Sequence, residues 1–259
     1  MGAHYYPKLV SCWRKLAARA GFRMQRIART GGHDVYGITT GTAGARGERS
    51  SPCAGLAGAP PGGYLSAGIH GDEPAGVWAL LDWAGARAHS LRRREWVIMP
   101  CLNPWGLMAN SRWDSQGRDL NRSFHLDRVP VVAGWKRFIG RRRFLSPAIA
   151  LHEDYEGDGI YAYYLGPDPA AAKRGIRAAS RFIRPSLNRK VDRKWRQEGG
   201  IVRLPGDRRP VLGVEGRHLV RHHVAAVTTI ETPSELALDL RIRAHVAYLD
   251  AVAGPLLAL

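Results

Sequence analysis

The sequence predicts an α/β fold of three layers, α/β/α, in which helices cover both faces of a mixed, mostly parallel sheet. Short apolar runs of strand length alternate with longer segments whose apolar residues recur at helical spacing. Polar residues with reactive side chains directly follow four of the apolar runs, at His70, Asn103, His152 and Glu231. Because sites in such sheets form beyond the carboxyl ends of the strands, these residues predict a functional site at one edge.

The predicted elements begin with an amphipathic helix over residues 6–22 and a strand over 35–39. A stretch rich in Gly, Ala, Pro and Ser over 41–63 is predicted to be a loop. Further strands are predicted at 64–69, 95–101, 147–151, 160–165 and 224–230, and further helices at 77–88, 131–144, 170–183 and 234–253, with loops at 110–123 and 190–213. Ser234 is expected to cap the last helix, with Glu235 in its first turn.

The length of the chain fits one large domain over residues 1–259 or two small ones, and residues 1–30 are expected to form an N-terminal helical segment. A chain of 259 residues with 45% hydrophobic residues can bury a sizeable core. Its three cysteines have unrelated spacings, which argues against a disulfide framework. We find neither a secretory signal pattern nor an apolar run of transmembrane length. The sequence therefore predicts a reduced, cytoplasmic protein with no membrane partner.

The formal net charge of +17 has two interpretations. Arginine-containing runs at 92–94, 141–143 and 189–196 could contact a nucleic acid or an acidic surface. No nucleic-acid fold signature accompanies these runs, so we expect solvated basic faces and no nucleic-acid partner. A basic surface would still attract a small anionic substrate.

The sequence Gly-Ile-His-Gly-Asp-Glu at 68–73 lies between a predicted strand and a predicted helix. It places His70 and Glu73 three residues apart in a tight turn, and imidazole and carboxylate are both zinc ligands. Gly68 and Gly71 would let the backbone fold tightly enough for both side chains to meet one ion. His-x-x-Glu is a weak pattern alone, so the prediction depends on finding a third ligand elsewhere.

His152, which closes the run 147–151, is the best candidate for the third ligand. Its alternative is an ordinary hydrogen-bonded histidine at a strand end. A catalytic zinc site also needs a general base, and Glu231 is placed for that role, with a helix-capping carboxylate as its alternative. Glu153 and Asp154 are reserve candidates for the base, although their position beside His152 favours supporting or surface roles.

The polar loop between these motifs contains Arg112, Asn121 and Arg122. Two guanidinium groups and an amide can form a fork that binds a carboxylate. In a chain this rich in arginine, an ordinary basic loop is the alternative.

Taken together, the motifs resemble those of a known family. Gly-x-His-Gly-Asp-Glu, Asn-Pro-x-Gly, Asp-Leu-Asn-Arg-x-Phe, Leu-His and a strand closing on Glu follow one another between 68 and 233. This order is similar to that of the zinc carboxypeptidases of the carboxypeptidase A and murein-peptide amidase type. It also resembles their relatives, the succinylglutamate desuccinylases and aspartoacylases.

The resemblance implies a role for each matching residue. His70, Glu73 and His152 would bind one Zn²⁺ per chain, and Asp119 would hold a ligand histidine from behind. Asn121 and Arg122 would grip the substrate's terminal carboxylate, Arg112 would stabilise the oxyanion, and Glu231 would be the catalytic base. Residues 1–259 would then form a single catalytic zinc-hydrolase domain.

One feature of the carboxypeptidases has no match. They place a tyrosine over the substrate from a loop before the catalytic glutamate, but this chain has no tyrosine between Leu165 and Glu231. Tyr161 and Tyr163 are expected on an aromatic strand face. Three histidines, His218, His222 and His223, lie in the corresponding region. By default we expect them to be exposed loop residues, and the alternative is that one of them lines the pocket.

The leading functional prediction is a metallocarboxypeptidase-like hydrolase that cleaves an amide next to a free carboxylate in a small peptide. The alternative is a zinc-dependent deacylase of N-acyl amino acids. That branch carries an additional C-terminal β domain, whereas only 28 residues follow Glu231 here and predict one helix. A third and less favoured alternative is a non-catalytic basic binding protein.

Overall fold

The computed structural model of the protein describes residues 2–41, 62–144, 148–191, 194–205 and 213–257. Most of the predicted loop 41–63 therefore lies outside the described residues, as do Pro147 and part of the predicted loop 190–213.

The elements alternate between strands and helices along most of the chain. The strands are β1 Arg23–Thr30, β2 His33–Thr39, β3 Gly63–Ala67, β4 Trp96–Met99, β5 Ala148–Asp154, β6 Tyr161–Leu165, β7 Lys190–Val191, β8 Trp195–Glu198, β9 Ile201–Arg203 and β10 Val227–Pro233. The helices are α1 Tyr6–Ala20, α2 Pro74–Ala86, α3 Ala88–Leu91, α4 Pro104–Ala109, α5 Pro130–Ile139, α6 Ala170–Ala179, α7 Glu215–His222 and α8 Leu238–Leu257, and a 3₁₀ turn spans Leu120–Arg122.

The described strands form one ten-stranded sheet in the order β1-β2-β4-β3-β5-β10-β6-β9-β8-β7. Its four central strands, β4, β3, β5 and β10, run parallel to one another. Antiparallel pairs join β1 to β2, β2 to β4 and β10 to β6. The predicted α/β class with a mixed sheet is therefore confirmed, with the parallel strands at the centre.

Helices cover both faces of this sheet because its central strands are apolar on both sides. In β4, Trp96 and Ile98 join the core beneath α1, α2, α6 and α8. Val97 and Met99 alternate with them and join a second core beneath α5 and α7. The sheet, with one core and its helices on each face, therefore forms the three predicted layers.

The edge strand β1 and part of its hairpin partner β2 were not predicted. Most residues of β1 are exposed or half-buried, and its sequence includes Arg23, Arg26 and Arg29. Exposed arginines are common at sheet edges but hide the apolar alternation that identifies a strand.

Three further predictions need correction. The described part of 190–213 includes the short strands β7, β8 and β9. Ser234 does not cap the last helix, which begins at Leu238, and the Ser234 hydroxyl has no hydrogen-bond partner among the described residues. His152 and Glu231 lie within β5 and β10 because the parallel pairing continues to Pro233 and Asp154.

In the part of the chain that the structure describes, no helix combines the length and the apolar composition needed to cross a bilayer. The cytoplasmic location stays a prediction.

Candidate active site

The turn after β3 carries His70 and Glu73, and two glycines shape it. Gly68 has a φ of +61°, in the left-handed region that favours glycine. A Cβ atom on Gly71 would lie 1.9 Å from the backbone carbonyl carbon of Gly106, so this close approach requires glycine. The turn ends at Glu73, the residue before the first turn of α2. This geometry is consistent with the prediction that Gly68 and Gly71 let the backbone fold into a tight turn.

β5 brings His152 to the same point. Nδ1 of His70 lies 2.6 Å from Oε1 of Glu73, and Nδ1 of His152 lies 2.9 Å from Oε2. One potential ligand atom from each of the three residues lies within 4.8 Å of the others, and all three residues are buried. The structure therefore brings together the three residues that the sequence predicts as metal ligands.

Mutual electrostatics hold this cluster in an ionised state. Burial opposes the charge of Glu73, but His70 and His152 lower its pKa well below the usual range. Burial would lower the pKa of His70, but Glu73 and Asp119 raise it to about 9. Glu73 and Glu231 likewise raise the pKa of the buried His152. The acidic groups thus make this point of the fold favourable for positive charge.

The arrangement fits a bound divalent cation. Oε2 of Glu73 is buried and has no hydrogen bond among the described residues, although it lies 2.9 Å from Nδ1 of His152. Nε2 of His70 lies 3.2 Å from Oδ1 of Asp119, which favours the ring proton on Nε2 and leaves Nδ1 as a ligand atom. Two histidines and a carboxylate are the donor set of many catalytic zinc sites, which suggests a metal here.

Asp119 links the cluster to the polar loop. Its Oδ2 accepts hydrogen bonds from Nη2 of Arg112 at 2.8 Å and from Nε at 3.2 Å. Its Oδ1 accepts from the backbone N–H of Asn121 at 2.8 Å. Burial opposes its charge, but the contacts with His70 and Arg112 lower its pKa well below the usual range. One carboxylate therefore contacts a predicted metal ligand, the predicted oxyanion donor and a predicted carboxylate-binding residue.

Arg112 points toward the predicted ligand atoms. Its Nη1 lies 3.3 Å from Nδ1 of His70 and 3.9 Å from Oε1 of Glu73. The fully buried Asn103 supports this loop, since its amide donates to the carbonyl of Trp113 at 3.0 Å and its Oδ1 caps α4. Asn103 therefore supports the loop that carries Arg112.

Asn121 and Arg122 lie in the 3₁₀ turn, and both line the same cavity as the cluster. Oδ1 of Asn121 accepts a hydrogen bond from the backbone N–H of Glu215 at 3.0 Å. Nη1 of Arg122 donates to the carbonyl of Asn121 at 3.0 Å.

Glu231 lies beside His152 in the parallel register of β10 and β5, and it lines the cavity.

The reserve candidates for the base have other partners. Glu153 accepts from the backbone N–H of Ala75 at 2.6 Å and forms an ion pair with Arg241, while burial raises its pKa to about 7. Asp154 accepts from the hydroxyl of Tyr161 at 2.8 Å.

The cavity extends from the cluster along β10 and has a volume of about 250 Å³. Its lining includes residues that were not singled out from the sequence: Leu165, Trp195, Leu204, Val214, Gly216, Arg217, Val227 and Thr229. Val227 and Thr229 alternate with Glu231 along one strand, so the two-residue period could have identified them.

Three histidines, His218, His222 and His223, lie in or directly after α7 and do not appear in the cavity lining. His223 is buried, and its Nδ1 hydrogen-bonds to the carbonyl of Arg142 at 2.9 Å. His218 packs against Trp135 with ring centroids 5.3 Å apart. The default expectation of exposed loop positions is therefore wrong for the half-buried His218 and the buried His223, and the exposed His222 lies in α7 rather than in a loop. Tyr161 and Tyr163 lie on β6, as expected, with their rings edge to face, and they also line the cavity.

The mixed sheet of this chain recurs in solved structures that are named as metallopeptidases and metallo-carboxypeptidases. A family model described as the succinylglutamate desuccinylase/aspartoacylase catalytic domain matches residues 61–130. Murein peptide amidase A of Escherichia coli (strain K12) is 38% identical over 74 residues, or 29% of this chain and 27% of the amidase.

Two solved structures show the same fold across nearly the whole chain. A putative metallopeptidase from Shewanella amazonensis SB2B has a TM-score of 0.81 at 21% identity, covering 98% of this chain and 94% of that one. A metallo-carboxypeptidase from Pseudomonas aeruginosa, in complex with (2-guanidinoethylmercapto)succinic acid, has a TM-score of 0.60 at 17% identity, covering 93% and 67%. The predicted resemblance to the zinc carboxypeptidases and their desuccinylase and aspartoacylase relatives is thus confirmed.

Proposed function

We propose that this protein is a zinc-dependent hydrolase that cleaves an amide bond next to a free carboxylate in a small peptide or peptide-like molecule. The observation that carries the proposal is that one cavity joins His70, Glu73 and His152 to Glu231 and to three candidate carboxylate- or oxyanion-binding residues. The single catalytic domain would span residues 1–259.

His70, Glu73 and His152 would hold one zinc ion per chain. Bound zinc would supply a Lewis acid for the scissile carbonyl and would lower the pKa of water toward about 7. The buried donor set supports this assignment, as does Oε2 of Glu73, which accepts no hydrogen bond from the described residues. Three protein ligands are the number that leaves a catalytic zinc open to solvent or substrate.

Glu231 would act as the general base. It lines the cavity in register with His152, so its carboxylate lies on the strand next to a metal ligand. A carboxylate there would take a proton from the attacking water and pass it to the leaving amine.

Arg112 would stabilise the oxyanion that develops on the carbonyl. Two hydrogen bonds that it donates to Asp119 fix its guanidinium group before any substrate binds. Its Nη1, 3.3 Å from Nδ1 of His70, remains directed at the ligand cluster. Donors that are fixed in advance stabilise developing charge without having to reorganise during the reaction.

Asn121 and Arg122 would bind the free carboxylate of the substrate. Both line the cavity on a turn that Asp119 anchors through the backbone N–H of Asn121. A guanidinium group and an amide together give charge-assisted hydrogen bonds to a carboxylate.

A second candidate function is deacylation of an N-acyl amino acid. The match of residues 61–130 to the desuccinylase and aspartoacylase catalytic domain favours this alternative. An N-acyl amino acid also carries a carboxylate next to its amide, so the same residues would serve both reactions.

A hydrolysis screen tests the proposal and separates the two candidates. Zinc-loaded protein would be incubated with C-terminal dipeptides, cell-wall peptides and N-acyl amino acids, each paired with its carboxamide counterpart. We expect cleavage in one class of free acids and much slower cleavage of the matching carboxamides. Equal rates on both members of a pair would contradict the carboxylate requirement.

The metal content tests the non-catalytic alternative. We expect about one zinc ion per chain in protein purified without chelators, consistent with the donor set. Purified protein without stoichiometric metal would favour a basic binding protein that kept only the fold.

A further inference from the structure

A buried carboxyl group lies next to the cavity but takes no part in the steps above. Glu215 is the first residue of α7, and only 1% of its surface is exposed. Its neighbours Val214 and Gly216 both line the cavity, whereas Glu215 does not appear in the lining. Burying a carboxyl group is unfavourable unless it is hydrogen-bonded, so its surroundings need an explanation.

The carboxyl group of Glu215 is bonded to the central strand that leads to His70. The hydroxyl of Tyr64 donates to Oε1, and the hydroxyl of Ser66 donates to Oε2 at 3.0 Å. Nε1 of Trp135 donates in turn to the Tyr64 oxygen at 2.7 Å. Tyr64 and Ser66 are two residues apart on β3 and so point to the same face. The first turn of α7 is therefore attached to the sheet.

The same turn of α7 is packed against the turn that carries the proposed carboxylate-binding residues. The backbone N–H of Glu215 donates to Oδ1 of Asn121 at 3.0 Å. The carbonyl of Gly213 accepts from the backbone N–H of Phe124 at 2.9 Å. A Cβ atom on Gly213, which has a φ of +97°, would lie 2.0 Å from the carbonyl oxygen of Arg122. These two segments cannot move apart without losing several contacts at once.

This geometry determines which way the amide of Asn121 faces. A backbone N–H can bond only to an acceptor, so Oδ1 must point toward α7 and the NH₂ group must point elsewhere. An NH₂ group donates to a carboxylate, whereas an amide oxygen in its place would repel one. The orientation of a single amide therefore decides whether Asn121 attracts or rejects the substrate's free carboxylate.

We propose that Glu215 is a positioning residue that anchors α7 to β3, so that its own backbone N–H holds Asn121 with the amide NH₂ group directed at a substrate carboxylate. This inference rests on the proposed function of the cavity. Val214, which precedes α7, provides no side-chain cap, so the carboxyl of Glu215 supplies the polar side-chain anchor in the first turn. Burial also raises the pKa of Glu215, which is consistent with the neutral hydroxyl partners.

The first test needs no substrate. The chain has four asparagines, at positions 103, 110, 121 and 188, so asparagine labelled with ¹⁵N in its side chain gives four pairs of amide signals. The pair that disappears in Asn121→Ala identifies Asn121. We expect Glu215→Ala to move this pair toward the shifts of a free amide, while Glu215→Gln and the α7 surface control Arg221→Ala leave it in place. An unchanged Asn121 pair in folded Glu215→Ala would overturn the inference.

The second test uses binding, in a variant that keeps the anchor intact. The probe is (2-guanidinoethylmercapto)succinic acid, measured by calorimetry on zinc-loaded protein against its diamide. In Asn121→Asp, one oxygen can still accept from Glu215, but the other replaces the NH₂ group. We expect the affinity for the diacid to fall about tenfold or more, as for a lost hydrogen bond to a charged group, with little change for the diamide. Unchanged diacid binding in Asn121→Asp would contradict the inferred orientation.

The two tests separate the failure of this inference from the failure of the proposed function. If wild-type protein binds neither probe and hydrolyses nothing, the proposed function fails, while the amide signals still report on Glu215. If wild-type protein does hydrolyse a free acid, Glu215→Ala should raise KM about tenfold with kcat within about twofold. In the Asn121→Ala background the same change should add little, because the positioned group is already gone. A full additive effect there would mean that Glu215 is only structural.

Discussion

Nε2 of His70 lies 3.2 Å from Oδ1 of Asp119, while Oδ2 of the same carboxylate accepts two hydrogen bonds from Arg112. One side chain therefore sets the tautomer of a candidate ligand and the direction of a candidate oxyanion donor. This coupling makes Asp119 the residue whose replacement should disturb both metal binding and catalysis.

We predict that Asp119→Ala weakens zinc binding about 10- to 100-fold, the usual range when the partner behind a ligand histidine is removed. The fold should survive, because the change deletes contacts at the cavity rather than in either core. Chelator competition measures the zinc Kd. Asp127→Ala, at an exposed aspartate paired with Lys136, is the matched control and should bind zinc like the wild type. An unchanged Kd in Asp119→Ala would remove Asp119 from the metal site.

Glu231→Gln should reduce kcat by about 10²–10⁴-fold, the usual contribution of a general acid or base, while zinc content stays at the wild-type level. The amide keeps the size of the side chain in β10 but cannot take a proton from water. Turnover with the best substrate and zinc by atomic absorption are the two measurements. Glu235→Gln, at an exposed position four residues away, serves as the control. Activity that survives in Glu231→Gln would leave the base to be found elsewhere.

The metal cluster was predictable from the sequence because its parts are local. His70 and Glu73 share one turn, and a single strand places His152 where the parallel strands end. Chain order and strand ends therefore carried most of the information about the ligands. The same reasoning placed Glu231 near His152, although pairing of the strands continues two residues past both of them.

Contacts between distant segments were not predictable in this way. Glu215 meets Tyr64 across 151 residues of sequence, and nothing in the local pattern around either residue indicates the pair. The strand β1 was missed because its exposed arginines hide the alternation, and Ser234 was misjudged because a serine before a helix is only one of several ways to begin it.

Arg122→Ala should raise KM most for substrates with a free carboxylate. The guanidinium group of Arg122 lines the cavity, so its loss removes a charged partner of the carboxylate but no part of the metal cluster. We expect KM to rise about 10- to 100-fold for the free acid and to change little for the carboxamide, since hydrogen bonds to charged groups contribute about 1.5–3 kcal/mol. Arg128→Ala, an exposed change six residues away, should leave both KM values unaltered. An equal loss on the blocked substrate would mean that Arg122 does not bind the carboxylate.

The fully buried His245 should make the free energy of unfolding depend on pH. Burial, together with His152 and Arg241, lowers its pKa in the folded state from 6.5 to about 3. Above about pH 6.5 the ring is neutral in both states and has no effect, but below that pH only the unfolded chain takes up the proton. The free energy of unfolding therefore falls progressively as the pH drops from 6.5 toward 3, by about 2 kcal/mol between pH 7.5 and 5.

His245→Gln separates this effect from the other titrating groups. The amide of the variant can still reach the hydroxyl of Thr232, which bonds to Nε2 of His245 at 3.1 Å, but it does not titrate. Urea denaturation at pH 7.5 and pH 5 gives the free energy of unfolding of both proteins. We expect the variant to be less stable than the wild type at pH 7.5 and to lose about 2 kcal/mol less on acidification. His222→Gln, at an exposed position on α7, should follow the wild-type pH dependence closely. If wild type and His245→Gln lose the same free energy between the two pH values, His245 is not the group that titrates on unfolding.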